Sequence, residues 1–145
     1  MPVRMLSMEQ TLLLVKPDGV RRNLVGEVLS RIERKGYVIA NLKMVNVSTD
    51  LLGEHYAEHR DKPFFASLVR YMSTGSVVAA VIEGERVIEG VRSLSGSTEP
   101  TLAAPGTIRG DLGRDWGSGQ IENIVHSSDS PESAEREIAL WFPAD

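Results

Sequence analysis

Residues 11–20 read TLLLVKPDGV, an apolar run that stops at a lysine, a proline and a glycine. Short runs of Leu and Val that end at turn-forming residues are typical of buried strands. The pattern therefore predicts a buried strand over residues 11–15 and a turn over residues 16–19.

Beyond this strand, the hydrophobic pattern alternates between helical and strand periods. The predicted elements are a helix at 25–35, a strand at 37–47, a helix at 50–59 capped by Thr49, a helix at 64–72, a strand at 77–82, a helix at 85–94, a loop at 96–119, a strand at 121–125 and a helix at 131–142. This order predicts an α+β fold with a ferredoxin-like four-stranded antiparallel sheet (split β-α-β) and added helices. A doubly wound β-α-β-α sheet is the alternative, although its alternation would be more regular.

The size and composition of the chain are those of one globular domain, expected over residues 1–145. Whether residues 1–8 form a loose N-terminal extension of that domain stays open. The net charge of −4 gives no general attraction for nucleic acid, which is not expected as a partner. The absence of cysteine excludes disulfides, thiolate metal sites and cysteine nucleophiles.

Two features of the sequence argue against export and membrane insertion. The longest apolar runs, residues 12–15 and 77–82, are far too short to span a bilayer. The first residues, MPVRMLSM, lack the apolar core of a signal peptide. We therefore expect a cytoplasmic protein with no membrane partner.

The histidines at positions 55 and 59 lie four residues apart on a predicted helix, a spacing that can bind zinc. A metalloprotease helix, however, needs Glu directly after the first histidine, and here Tyr56 follows His55. No third ligand is evident. We therefore expect two solvated helix histidines and no metal site made of protein side chains.

His126 has a different setting, because it is predicted at the end of a strand and just before a helix N-terminus. Free N–H groups at a helix start favour an anion, and a neutral imidazole there could attack a phosphoryl group. The other ring nitrogen would need an orienting acceptor, for which Glu137 is a candidate. The alternative is a histidine that bonds locally in the capping region, and position alone favours neither reading.

Cations and an aromatic pair complete the candidate residues. Lys16, Arg92 and Arg109 come from remote parts of the chain and could converge on a polyphosphate, although each alone is more often a solvated charge. Phe64 and Phe65 are adjacent, so one can face solvent and stack on a nucleotide base, the alternative being two core aromatics. The sequence contains no P-loop and no G-x-G-x-x-G motif, so any nucleotide site is of another type.

Several motifs appear together in the order found in the nucleoside diphosphate kinase family. They are KPDGV at 16–20, EHY at 54–56, KPFF at 62–65, APGTIRGD at 104–111, NIVH at 123–126, SDS at 128–130 and ESAEREI at 132–138. The chain resembles that family from about residue 10 to residue 142. The resemblance implies a kinase that moves the γ-phosphoryl group of a nucleoside triphosphate to a nucleoside diphosphate, by a ping-pong reaction through a phosphohistidine.

The resemblance also implies roles for individual residues. His126 corresponds to the nucleophile, attacking through Nδ1, and Glu137 to the acceptor that fixes its tautomer. Lys16 and Tyr56 correspond to groups that contact the transferred phosphoryl group, and Ser128 matches a residue near the nucleophile.

The residues that the resemblance assigns to nucleotide binding are Lys16 and Asn123 at the sugar hydroxyls, Phe64 at the base, and Arg92, Thr98 and Arg109 at the phosphates. Stacking without base-edge hydrogen bonds implies broad tolerance of bases, and the sugar contact implies tolerance of ribose and deoxyribose. In this family Mg²⁺ is carried by the nucleotide phosphates. The segment at 95–105 resembles the assembly loop of the family, which implies a homo-oligomer, either a tetramer or a hexamer.

Two departures from the family pattern stand out. The family usually has Gly after the nucleophile, where this chain has Ser127; a positive φ there would strain the serine, and any other φ would leave the change neutral. The segment from Leu112 to Glu122 is longer than the family pattern and contains Trp116. This indole either packs over the nucleotide or a neighbouring subunit, or fills a surface notch in a solvated loop.

Overall fold

The computed structural model describes residues 8–119 and 121–144, so residues 1–7 of the expected N-terminal extension lie outside the described residues. The strands are β1 (Met8–Val15), β2 (Val38–Val45), β3 (Val77–Glu85), β4 (Arg114–Asp115), β5 (Ile121–Glu122) and β6 (Val125–Ser127). The helices are α1 (Pro17–Arg21), α2 (Val25–Arg34), α3 (Thr49–His55), α4 (Phe65–Met72), α5 (Val87–Ser95), α6 (Ile108–Leu112) and α7 (Pro131–Trp141). Short 3₁₀ helices span Ala57–His59 and Pro100–Leu102.

The main sheet has four strands in the order β2-β3-β1-β6, and every neighbouring pair is antiparallel. This is the strand order of the split β-α-β arrangement, so the predicted α+β, ferredoxin-like sheet with added helices is confirmed. The central strand β1 pairs with β3 along its whole length, and its last residues pair with β6. In that register Leu14 faces His126 across the ladder.

The apolar run of β1 is explained by burial on both faces of the sheet. Leu13 and Val15 belong to a cluster with residues of α2 and α5, whereas Leu12 and Leu14 belong to a cluster with residues of α3, α4 and α7. All four side chains are fully buried. Because alternate side chains of a strand point to opposite faces, a strand covered on both sides needs apolar residues at every position.

Several predicted boundaries are wrong, each for a local reason. The predicted turn at 16–19 is the start of α1, whose first position is occupied by Pro17. Ser48, not Thr49, caps α3, because its Oγ accepts from the Leu51 N–H at 3.1 Å. The helix predicted to reach residue 59 ends at His55, and β3 extends to Glu85, so that α5 starts later than predicted.

The segment predicted as a loop at 96–119 contains regular structure. Thr107 caps α6 by accepting from the Gly110 N–H at 2.9 Å, and a Cβ at Gly110 would lie 2.0 Å from the Ala104 carbonyl oxygen. The hairpin of β4 and β5 follows. The strand predicted at 121–125 is interrupted at Ile124, whose φ is 70°, so His126 lies in the middle of β6 rather than after a strand end.

No helix within residues 8–119 and 121–144 is long and apolar enough to cross a membrane.

Candidate active site

The imidazole of His126 is oriented by a carboxylate from the last helix. Its Nε2 lies 2.9 Å from Oε1 of Glu137, which is almost fully buried on α7. That helix is held at its start by Ser130, whose Oγ accepts from the Ser133 N–H at 3.1 Å, and by Pro131 at its first position. Because a carboxylate accepts from Nε2–H, the neutral ring has its lone pair on Nδ1.

Glu137 is itself held by a second donor. Ser128 is fully buried, and its Oγ donates to Oε1 of Glu137 at 2.8 Å while accepting from the Leu12 N–H at 3.2 Å. Burial raises the pKa of Glu137, but hydrogen bonds and electrostatic interactions, those with His126 first and that with Ser128 among them, outweigh burial and lower the pKa of the carboxyl. The orienting group is therefore a carboxylate fixed to β1 through the serine.

Ser127 occupies ordinary extended backbone. In β6 it pairs with Leu13 of β1. Among the described residues other than glycine, those with a positive φ are Asn23, Arg86 and Ile124. The replacement of the usual glycine therefore brings no left-handed strain at this position.

Arg109 is fixed by three backbone carbonyls from two neighbouring segments. Its guanidinium donates to the carbonyls of Asn123 at 3.2 Å, Gly96 at 2.9 Å and Val125 at 2.7 Å. Burial, followed by repulsion from Arg92, lowers the pKa of Arg109 to about 10, so it is charged at neutral pH. The side chain is a positively charged group held at the edge of β6.

Lys16 lies beside this group. Its Nζ donates to Oδ1 of Asn123 at 2.9 Å, and the Asn123 amide donates to the carbonyl of Thr98 at 3.1 Å. Burial and repulsion from Arg109, partly offset by Asp18, lower the pKa of Lys16 to about 8. The structure thus brings Lys16, Arg109 and Asn123 into one cluster, and Thr98 joins it through its carbonyl.

Two further candidates interact electrostatically with residues of the site. Arg92 is exposed on α5, close enough to Arg109 to depress its pKa. Tyr56 follows α3 and is mostly buried, and burial together with the charge of Glu137 raises its pKa, so the phenol stays protonated. The tyrosine is therefore a hydrogen-bond donor rather than an anion.

The adjacent aromatic pair divides between surface and core. Phe64 is 48% exposed just before α4, and its ring centroid lies 5.4 Å from that of His59. Phe65 packs against the apolar cluster under α4. An exposed aromatic ring is a surface on which a planar base can stack.

The expectation that His55 is solvated is wrong. The packing of α3 against α7 leaves it 4% exposed, and its Nδ1 accepts from Nε1–H of Trp141 at 3.0 Å. The His55 ring meets the His126 ring edge-on, with centroids 4.7 Å apart. Burial, followed by repulsion from His126, lowers the pKa of His55 to about 3. His59 is half-buried instead of fully solvated.

Within the described residues, His55, His126 and Glu137 form a cluster whose ligand atoms lie within 4.8 Å of one another. The cluster does not suit Mg²⁺, which prefers oxygen ligands in octahedral geometry. It is also a poor site for a metal that prefers imidazole, because donation from Trp141 to Nδ1 leaves the His55 proton on Nε2. The residues present thus do not form a magnesium cage.

The segment with Trp116 forms the β4–β5 hairpin. The indole is 56% exposed, so it does not fill a surface notch. Its Nε1 donates to Glu122 at 2.6 Å, the guanidinium of Arg114 lies 4.0 Å from the ring centroid, and Glu122 also pairs with Arg21 at 2.8 Å. These contacts tie the hairpin to α1.

Sequence reasoning missed the contact between His55 and Trp141. One signal was available, because Glu137 and Trp141 are four residues apart and share a face of α7. A face that orients His126 through Glu137 brings Trp141 towards the same region. The partner on α3 could not be identified from spacing alone.

The chain is similar to known proteins over nearly all of its length. The family model for nucleoside diphosphate kinase matches residues 9–145. A nucleoside diphosphate kinase from Nocardia farcinica is 61% identical over 136 residues, which cover 93% of this chain and 95% of that protein. One from Archaeoglobus fulgidus is 56% identical over 138 residues, covering 95% of this chain and 89% of that protein.

Solved structures agree with these relatives. A halophilic nucleoside diphosphate kinase from Halobacterium salinarum in complex with CDP matches with a TM-score of 0.88 and 47% identity, covering 94% of this chain and 89% of that one. The Borrelia burgdorferi enzyme, a transition-state mimic with vanadate and ADP, matches with a TM-score of 0.88 and 40% identity, covering 94% and 88%. The agreement extends from the family model to sequence and fold over nearly the whole chain, which therefore belongs to the nucleoside diphosphate kinase family.

Proposed function

We propose that His126 is the nucleophile through which this kinase transfers the terminal phosphoryl group between nucleotides. The observation that carries the proposal is the 2.9 Å contact between Nε2 and Glu137, because it leaves the lone pair on Nδ1. Nδ1 attacks the γ-phosphorus of a nucleoside triphosphate, the bond to the bridging oxygen breaks, and the diphosphate leaves. A terminal oxygen of a second diphosphate then attacks the phosphohistidine and regenerates the imidazole.

The phosphate chain is held by fixed positive charge. Arg109 uses one donor on each of its three nitrogens for backbone carbonyls, so each terminal nitrogen keeps one N–H for a phosphate oxygen. Lys16 and the phenol of Tyr56 donate to the transferred group, and Arg92 and Thr98 bind the phosphates from the exposed side. Donors fixed in advance stabilise the charge that builds up during transfer.

The base and sugar are held with little discrimination. Phe64 stacks on the base through a face that purines and pyrimidines share. Asn123, already bonded to Lys16, binds the sugar hydroxyls together with that lysine. Broad tolerance of bases, and of ribose and deoxyribose, follows from these contacts.

Magnesium enters as part of the substrate. Because the described acidic residues do not form an oxygen cage, the ion is expected to arrive bound to the nucleotide phosphates. Chelation of Mg²⁺ should therefore abolish transfer without lowering the melting temperature of the nucleotide-free protein.

The test is incubation with Mg²⁺ and γ-labelled ATP, followed by addition of GDP. We expect an acid-labile, base-stable label that passes to GTP in the wild type and is absent in His126→Gln. His55→Gln is the matched control, because its ring contacts that of His126 but its Nδ1 already accepts from Trp141, so the label should persist in this variant. Label that persists in His126→Gln would refute the assignment, and label released to water instead of GDP would indicate a phosphatase.

We also propose a homo-oligomer, a tetramer or a hexamer, in the cytoplasm, where nucleoside triphosphates are supplied. In support, β2 is an edge strand of the main sheet, and Val38, Leu42 and Met44 on it are 48%, 48% and 60% exposed. An exposed apolar edge strand is a surface on which a second copy can pair. Light scattering coupled to size-exclusion chromatography gives the subunit count, and a monomer would refute the proposal.

A further inference from the structure

The backbone of Ile124 has an unusual conformation just before β6, the strand that carries His126. Its φ of 70° lies in the left-handed region, which a β-branched residue rarely occupies. Such conformations persist only where surrounding contacts hold them, and they concentrate at functional sites. The contacts of Ile124 therefore indicate what holds this turn in shape.

Both polar groups of the Ile124 backbone are bound by the segment that follows β1. Its N–H donates to Oδ2 of Asp18 at 3.0 Å, and its carbonyl accepts from the Lys16 N–H at 2.7 Å. The side chain is fully buried against Gly19, where a Cβ would lie 3.1 Å from Cγ2 of Ile124. The KPDG segment is thus packed directly on the left-handed residue.

The same carboxylate reaches α4. Asp18 is fully buried, and its other oxygen accepts from the hydroxyl of Tyr71. Burial, followed by this hydrogen bond, raises the pKa of Tyr71, so the hydroxyl remains a donor. Because α4 begins directly after Phe64, Asp18 joins the helix next to the base-stacking ring to the turn that precedes the nucleophile.

The residues on either side of Ile124 belong to the proposed site. Asn123 binds Lys16, and the carbonyls of Asn123 and Val125 both accept from Arg109. A change of the Ile124 φ to an ordinary negative value would rotate these two carbonyls relative to each other. Arg109 would then lose one of its backbone acceptors.

We propose that Asp18 is a positioning residue, whose buried carboxylate holds Ile124 in the left-handed conformation and so keeps Asn123 and Arg109 aligned with His126. The inference rests on the proposed function, because it concerns the same site. Asp18 acts through the backbone and does not contact the nucleotide.

The first test is Asp18→Ala, which removes both acceptors. We expect kcat to fall about 50-fold, since a small displacement of catalytic groups has effects of this order. Asp18→Asn should recover most of that loss, because its oxygen can accept from Ile124 while its amide donates to the Tyr71 hydroxyl. An Asp18→Ala variant with the kcat of the wild type would overturn the inference.

The second test is a matched pair in the Asp18→Ala background. Ile124→Gly and Ile124→Ala both empty the buried side-chain position, but only glycine adopts a φ of 70° freely. The glycine double variant should be at least about five times as active as the alanine one. Equal activities would show that Asp18 contributes only packing, and would refute the inference.

If Asp18→Ala is unfolded by circular dichroism, the same pair is compared in the Asp18→Leu background, where an apolar side chain fills the buried space but accepts no hydrogen bond from Ile124, with the same two outcomes. The wild type is measured in every series. Absence of transfer through His126 in the wild type refutes the proposed function and this inference with it. Wild-type transfer with equal glycine and alanine variants refutes only the role of Asp18.

Discussion

The two ends of the proposed nucleotide site differ in how firmly their side chains are held. At the phosphoryl end, Glu137 has two donors, Arg109 has three carbonyl acceptors, and Lys16 is bonded to Asn123. At the base end, Phe64 is nearly half exposed and contacts His59 and Lys62. Phosphoryl transfer depends on exact placement of charge, whereas an unselective stacking contact does not.

The largest effect is expected from removing the carboxylate that orients the proposed nucleophile. Glu137→Gln keeps the size of the side chain but loses the charge that stabilises the imidazole, so kcat should fall about 100-fold. Single-turnover formation of the phosphohistidine measures it. The control is Glu135→Gln, an exposed residue of the same helix, for which rates should match the wild type. Equal losses in both variants would mean that helix charge matters rather than the contact with His126.

The next largest effect is expected when Lys16 loses its positive charge. Its pKa of about 8 means that the free enzyme loses this charge as the pH rises, so kcat/KM should fall about tenfold per pH unit above pH 8. Lys16→Arg should be less active at pH 7 but lack this decline, because guanidinium stays charged. A wild-type profile that is flat to pH 9.5 would contradict the prediction.

A smaller effect is expected at the base end. Phe64→Ala removes a stacking contact worth about 1 kcal/mol, so KM should rise about fivefold while kcat changes little. Phe64→Tyr, which keeps the ring, should retain the KM of the wild type. Steady-state kinetics with ADP and with CDP measure both. A fall in kcat comparable to that of Glu137→Gln would remove the distinction between the two ends.

The smallest effect concerns the hairpin next to the site. Trp116 contacts Arg114 and Glu122 and is largely exposed, so Trp116→Ala should change kcat/KM by less than about twofold. The thermal midpoint of the Trp116→Ala variant shows whether the hairpin contributes to stability. A loss of more than about tenfold in kcat/KM would mean that the indole packs over the nucleotide. In that case the base would be held by two aromatic side chains, and the base end would differ less from the phosphoryl end.

The sheet was predictable because its signals are local. The run at 11–15, the alternation at 40–44 and the cap at Ser130 each report their own element, and the order of elements then selects the split β-α-β arrangement. Most candidate residues were predictable for another reason, since they lie in motifs shared with a family; Arg92 and Thr98 lie outside those motifs. His126 alone could have been a nucleophile or a capping histidine.

What the sequence could not give depends on contacts between remote elements. His55 is buried only because α3 packs on α7, and a helical spacing of four residues does not reveal such a neighbour. The β4–β5 hairpin was missed because each strand is two residues long, too short for a pattern. The φ of Ile124 is likewise set by Asp18 across the chain and not by its neighbours in sequence.

The bonds that build the site also constrain how the protein folds. Lys16 bonds to Asn123 and Leu12 to Ser128 across separations of 107 and 116 residues. Contacts between residues so far apart in the sequence form late in folding, because the entropy lost in closing a long loop opposes them. A nascent chain should therefore lack phosphotransferase activity until α7, which carries Glu137, has left the ribosome. During refolding, activity should return with the final step and never ahead of it.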